Sequence, residues 1–164
     1  MLDHLPTDPR GGKQVALDAR EVAASGMATT ASVAASRCGG PDVRVSMCGS
    51  VGDDAAGRGY LADLATEHVD TSHVRVVPGQ STAISSVMVE KGTGERLVIP
   101  FYSPKLSHVN DEWPPNSDVV GEFNAVQVDP RSPNAALRVL LAARERGVPT
   151  VVDADVTPDT AVLR

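Results

Sequence analysis

Three short segments of the sequence carry side chains able to grip a polar small molecule. Asp129-Pro130-Arg131 sets a carboxylate, which accepts hydrogen bonds from hydroxyls, beside a guanidinium, which clamps an anionic group through two parallel donors. Asp153-Ala154-Asp155 offers further acceptors. Gly26 turns the chain into a run of small residues, and the free N–H groups at a helix start can hold hydroxyls or anions. Lys13 adds a second positive charge. Each has a plainer role open to it. A strand-end aspartate caps or turns the chain, a glycine before a helix makes a turn, and an isolated arginine is solvated.

Other chemistry is thinly supplied. Gly52-Asp53-Asp54 resembles a metal-binding carboxylate pair, but an aspartate ahead of a helix is the usual N-cap. His4, His68, His73 and His108 are scattered without ligand spacing, so no metal site is expected. Cys38 and Cys48 lack a CxxC pattern or a partner base and read as small buried hydrophobes. There is no Walker-type phosphate loop and no GxSxG.

The gripping segments need strands that deliver them to one edge of a sheet. Residues 125–129 read as a strand. Ser132-Pro133 then supplies an N-cap and an N1 proline for a helix over 134–146, stopped at Gly147, and 149–153 form the next strand. That strand–helix–strand pattern implies parallel pairing in an open, doubly wound sheet, where ligands bind beyond the carboxyl ends of the strands. Gly26 leads into a helix over 28–38, with Ala31, Ala34, Ala35 and Cys38 at helical spacing and Gly39-Gly40-Pro41 as the stop. Residues 43–48 read as a strand and 49–54 as a tight loop. A helix follows from 55 to about 67, capped by Asp53 or Asp54, with Tyr60, Leu61 and Leu64 inward. Residues 69–77 read as a loop holding a short strand.

Two regions break this alternation. Residues 83–90 and 96–101 form a hairpin across Lys91-Gly92-Thr93-Gly94, with Pro100 confining the second strand to an edge. Val15, Leu17 and Ala19 share one face of a half-exposed strand over 13–23. Both belong to a separate small antiparallel layer, a lid or a dimer surface.

Composition bounds the rest. At 164 residues the chain is one domain with a real core. Aromatics make only 3%, so Val, Ala and Leu must build that core, as in parallel strands packed under Ala-rich helices. Fifteen Lys and Arg against 21 Asp and Glu, net −6, leave no basic stripe for nucleic acid. No apolar run approaches the roughly 18–20 residues of a membrane helix. The first residues resemble neither a signal nor a transit peptide, so a soluble, cytoplasmic chain is expected.

The order of motifs is more specific than any one of them. The run Ser25-Gly26-Met27-Ala28-Thr29-Thr30-Ala31, followed by Val33-Ala34-Ala35-Ser36-Arg37-Cys38-Gly39, resembles the first motif of ribokinase-like (PfkB) carbohydrate kinases. In that motif a Gly-Gly pair, small residues and an Asn precede an Ala-rich helix; here Ser25 replaces the first Gly and Thr30 stands at the Asn. Gly49-Ser50-Val51-Gly52-Asp53-Asp54-Ala55-Ala56-Gly57 is similar to the family's Gly-x-Val-Gly-x-Asp-x-x-Gly segment. Val69-Asp70-Thr71 resembles its Gly-Val-Asp-Thr connection, and Ser81-Thr82 with Gly94-Glu95-Arg96 its lid hairpin. The series covers about residues 5–160.

The resemblance implies a fold, an activity and a site. The fold is a ribokinase-like doubly wound parallel sheet with a small antiparallel lid, truncated. Lid strands fall at about 13–23 and 83–101, and the α/β core at about 28–77 and 125–160. The activity is transfer of the γ-phosphate of ATP to a sugar hydroxyl, with ATP and Mg²⁺ as cofactors. Lys13, Gly26, Thr30, Asp129 and Arg131 are the implied sugar-binding residues. Leu5-Pro6-Thr7, Gly12-Lys13, Tyr102-Ser103-Pro104 and Asp153–Pro158 lean toward the sulfofructose kinase branch, whose Lys, Asn and Arg hold a sulfonate. Lys13 and Arg131 stand at two of those positions and Pro100 at the third. The family's catalytic Asp and its nucleotide cradle fall beyond Arg164, so no catalytic or cofactor-binding residue is assigned and the chain is expected to be silent alone. The partners expected are a sugar or sugar derivative and, through the lid, a second copy; nucleic acid and membrane are not. A non-catalytic sugar-binding or dimerisation module is the alternative. An unrelated α/β domain would instead place strand 83–90 in the main parallel sheet.

Overall fold

The computed structural model describes residues 21–103, 105–106, 117–129 and 131–154. Lys13 and the expected strand over 13–20 lie outside the described residues, as do 155–160 of the expected core. Residues 21–23, assigned above to the end of that strand, are not in one. The Ala24 N–H is taken instead by a helix side chain, Asp63 Oδ2, at 2.8 Å.

Helix α1 runs Met27–Cys38. Small residues let it lie close to neighbouring strands, and the Gly39 N–H closes it by donating to the Ala35 carbonyl. Strand β1 spans Val45–Gly52, helix α2 Ala55–Thr66 and strand β2 Val69–Val77. β1 and β2 pair in parallel around α2, from Val45 opposite Val69 to Gly52 opposite Val77. Two expectations are corrected here. Residues 49–52 are strand rather than loop, because their backbone continues the ladder with β2 whatever their side chains. Residues 69–77 are one long strand, not a loop holding a short one. Only Val69 and Val77 are buried along it, so its sequence lacks the apolar alternation of a half-buried strand.

Strands β3 (Ile84–Val89) and β4 (Arg96–Phe101) form the expected antiparallel hairpin. Among the described residues neither joins a parallel pair. Pro100 sits in β4 opposite Ser85, tolerated because β4 is an edge. A 3-10 helix over Ser117–Glu122 leads to β5 (Val126–Val128), helix α3 (Pro133–Arg146) and β6 (Thr150–Val152), the second parallel strand–helix–strand unit. Pro133 starts α3, and Gly147, at φ 67, ends it in the left-handed conformation.

The core is the Val, Ala and Leu interior that the composition demands. Leu64, at 0% exposure, anchors α2. Ala142 and Ala143 of α3 pack with Val120, and Val126, Val139 and Val148 close around them. The two parallel pairs are not joined by a continuous ladder among the described residues. They share a cleft instead.

Candidate functional site

That cleft has a volume of about 1180 Å3 and is lined by Val45 and Val51 of β1, Val126 and Val128 of β5, Ala31 of α1 and Ala136 of α3. Asp129, Arg131 and Ser132 bring it polar groups just past the carboxyl end of β5. A smaller hollow of about 520 Å3 adjoins it, lined by Gly26, Thr30 and Asp153, and Ala31 borders both. The structure thus brings Gly26, Thr30 and Asp153 together, and sets Asp129 and Arg131 in the adjoining space. Lys13 lies outside the described residues.

Local chemistry fixes each group. Gly26 has φ 125 and ψ 157, a backbone region essentially closed to residues with a Cβ. It is the N-cap residue of α1 and has no capping side chain, and the hollow lies against this first turn, where the helix dipole favours an oxygen ligand. Asp153 is placed by its own N–H, which donates to the Val128 carbonyl at 3.1 Å. Asp129 Oδ1 accepts the Arg131 N–H at 2.9 Å, a tight side-chain turn that aims residue 131 away from the strand. The Arg131 Nη1 then donates to the Tyr102 hydroxyl at 2.6 Å.

The frame behind the cleft is tied by polar contacts. Asp54, half-buried, is the N-cap of α2: its Oδ1 accepts from Gly57 N–H at 2.9 Å and from the Thr82 hydroxyl at 2.6 Å, and its Oδ2 from Thr82 N–H at 2.9 Å. The Thr82 hydroxyl also accepts from Gly52 N–H at 2.9 Å. Thr82 therefore joins the end of β1, the start of α2 and the chain entering the hairpin. These donors, the Thr82 hydroxyl foremost and then Gly57 N–H, hold the Asp54 carboxyl below its ordinary value. The carboxylate is engaged as the N-cap of α2. Among the described residues no group of three or more His, Cys, Asp or Glu is placed to hold a metal ion. Thr29, buried in α1, shares a 2.9 Å hydrogen bond with the Tyr60 hydroxyl of α2, and burial pushes the Tyr60 phenol up. The Ser36 hydroxyl and the Arg37 guanidinium, both on α1, meet the Glu67 carbonyl and carboxylate.

Both cysteines are exposed, contrary to the expectation of buried thiols. Cys38 closes α1 at its outer end, and Cys48 borders the cleft. Two residues that matter to the site had no sequence signal of that role. Thr82 was visible only as part of the hairpin motif, and Tyr102 bore no spacing relation to Arg131. No helix among the described residues is long and apolar enough to cross a membrane.

The fold is an α/β domain with a cleft between β1 and β5 that reaches Asp129 and Arg131 at the carboxyl end of β5. Comparison with known proteins narrows this. The family model for pfkB family carbohydrate kinases matches residues 3–163, and the chain belongs to that family. It is 33% identical over 94 residues to the ribokinase of Schizosaccharomyces pombe, covering 56% of this chain and 29% of that protein. A crystal structure of a ribokinase-type protein from Agrobacterium tumefaciens matches with a TM-score of 0.85 and 36% identity over 99% of this chain and 50% of that one. Fructokinase from Xylella fastidiosa shares the fold at a TM-score of 0.67 and 18% identity, over 94% of this chain and 47% of that one. The fold is thus ribokinase-like. The chain spans about half the length of these solved relatives and under a third of the curated ribokinase.

Proposed function

We propose that this chain is the sugar-gripping part of a carbohydrate kinase that moves the γ-phosphate of ATP to a sugar hydroxyl. The observation that carries the reading is the convergence of Gly26, Thr30 and Asp153 on one hollow beside Asp129 and Arg131, where an open α/β sheet binds its ligands. In this reading Asp129 accepts hydrogen bonds from sugar hydroxyls, the N-terminal amides of α1 hold a further hydroxyl, and Arg131 clamps an anionic substituent. By the family resemblance Lys13 would supply a second positive charge. An anionic ketose derivative, a sulfosugar among them, suits that pairing of carboxylate and guanidinium.

ATP and Mg²⁺ enter through the family. An ADP complex of ribokinase from Cryptococcus neoformans, at 20% identity, and an ATP and magnesium complex of a ribokinase II protein from E. coli, at 16%, share this fold. Among the described residues no group of three or more His, Cys, Asp or Glu is placed to hold a metal ion, so this reading assigns none of them to Mg²⁺. Phosphoryl transfer depends on positioning and charge stabilisation, and the part in hand contributes the positioning of the acceptor. The exposed apolar ribbon of the hairpin, with Ile84, Val87, Val98, Ile99 and Phe101 all in solvent, supports pairing of two copies through the lid. Calorimetric titration of the purified chain with ketoses and aldoses tests the reading. Saturable binding lost in Asp129→Ala is expected; sugar binding untouched by Asp129→Ala refutes the site.

A further inference from the structure

Arg131 does not stand alone at the cleft. Its Nη1 donates to the Tyr102 hydroxyl at 2.6 Å, and its Cζ lies 5.3 Å from the centroid of the same ring. One aromatic side chain thus meets the guanidinium twice, once through its oxygen and once through its face. Tyr102 arrives 29 positions earlier in the chain, directly after β4 of the hairpin. The Arg131 backbone is held separately, by Asp129 Oδ1. Both ends of a long, exposed side chain are therefore fixed before any ligand arrives. The guanidinium carbon lies over the Tyr102 ring and the phenol takes Nη1. Among the described residues Nε and Nη2 have no protein acceptor, and these form the edge that meets two oxygens of a phosphate, sulfonate or carboxylate at once.

We infer that Tyr102 is the positioning residue for the Arg131 guanidinium and, through it, sets the preference for an anionic sugar over a neutral one. The inference rests on the reading of Arg131 as the anion clamp. An arginine already held loses less side-chain freedom on binding, and that saving accrues only to ligands with an anionic group. The clamp also requires the hairpin to be seated, since its anchor comes from the end of β4.

The test is the ratio of affinities for fructose 6-phosphate and fructose, measured by calorimetry at low salt. It is run on the full chain, on Tyr102→Phe, Tyr102→Ala and Arg131→Ala, and on the double variant Tyr102→Ala/Arg131→Ala. Wild type prefers the phosphate, and Arg131→Ala removes that preference. Tyr102→Ala lowers the ratio about 5-fold and Tyr102→Phe, which keeps the ring, about 2-fold, in line with one charge-assisted hydrogen bond and one cation–π contact at an exposed site. The double variant matches Arg131→Ala alone, because the two side chains act as one unit. A merely structural Tyr102 would lower both affinities together and leave their ratio intact. A ratio kept by both Tyr102 variants and lost in Arg131→Ala overturns this inference and spares the clamp. A ratio of one in wild type, or a preference that survives Arg131→Ala, overturns the clamp itself and the inference with it.

Discussion

Removing the Asp54 carboxylate tests whether one side chain holds β1, α2 and the hairpin in register. In Asp54→Ala the α2 N-terminus loses its cap, a change that costs about 1 kcal/mol at such positions. The Thr82 hydroxyl and N–H lose their acceptor as well. Thr82 is 7% exposed, so water replaces those bonds poorly. Two further hydrogen bonds, discounted because the carboxylate itself is half-buried, add about 1 kcal/mol. The sum of about 2 kcal/mol lowers the melting temperature by roughly 4–8 °C in a chain of this size. Asp54→Asn keeps one acceptor oxygen and is expected to lose about half as much. The pH dependence has a fixed sign. The folded-state carboxyl is held below 3.8, so its stabilisation is fully present above that value and fades as pH falls through the folded value. Thermal melts followed by circular dichroism, for wild type and Asp54→Asn from about pH 7 down to about pH 3, read that difference directly. A melting point for Asp54→Ala within about 1 °C of wild type would refute the reasoning. So would wild-type and Asp54→Asn curves that run parallel into acid.

Three other outcomes follow from the same structure. A Cβ at Gly57 would collide with the Gly52 carbonyl oxygen, whereas one at Gly59, also in α2, meets nothing within 4 Å. Gly57→Ala should therefore destabilise by about 1–3 kcal/mol through overpacking, while Gly59→Ala stabilises by roughly 0.5–1 kcal/mol, and denaturant melts of the pair check the opposite signs. The preference of the wild-type cleft for an anionic ketose should shrink as salt rises from about 0.05 to 0.5 M, since Arg131 is exposed and screened; a salt-independent ratio counts against the clamp. Purified chain supplied with ATP, Mg²⁺ and a hexose should release no hexose-dependent ADP in a coupled assay, and turnover would show that base and phosphate cradle lie within these residues.

Much of the fold was legible because local chemistry marks it. Ser132-Pro133 and Gly147 bracket α3, the Gly-rich turn marks the β3–β4 hairpin, and the aspartate before Ala55 starts α2. What stayed hidden depends on partners distant in sequence. β2 carries Asp70, Ser72, His73 and Arg75, and only its parallel ladder to β1 makes it a strand. Gly49 and Gly52 read as turn residues, yet they continue β1, and at Gly52 the backbone of Gln80 approaches too closely for any side chain. At the site, Asp129 and Arg131 were legible from the strand-to-helix pattern that follows β5. The neighbourhood of Gly26 and Asp153 was expected from the rule that open α/β sheets bind ligands past their strand ends. The reach of Tyr102 to Arg131 was not, because no periodicity relates the end of a hairpin strand to a loop 29 positions on.

In the proposed function this chain grips a sugar beside Gly26, Asp129, Arg131 and Asp153. Amide chemical-shift mapping of the labelled chain during a ketohexose titration tests it most directly. Saturable shifts are expected at Gly26–Thr30, Asp129, Arg131 and Asp153. Shifts confined to the hairpin 84–101, or none at any sugar concentration, would contradict it.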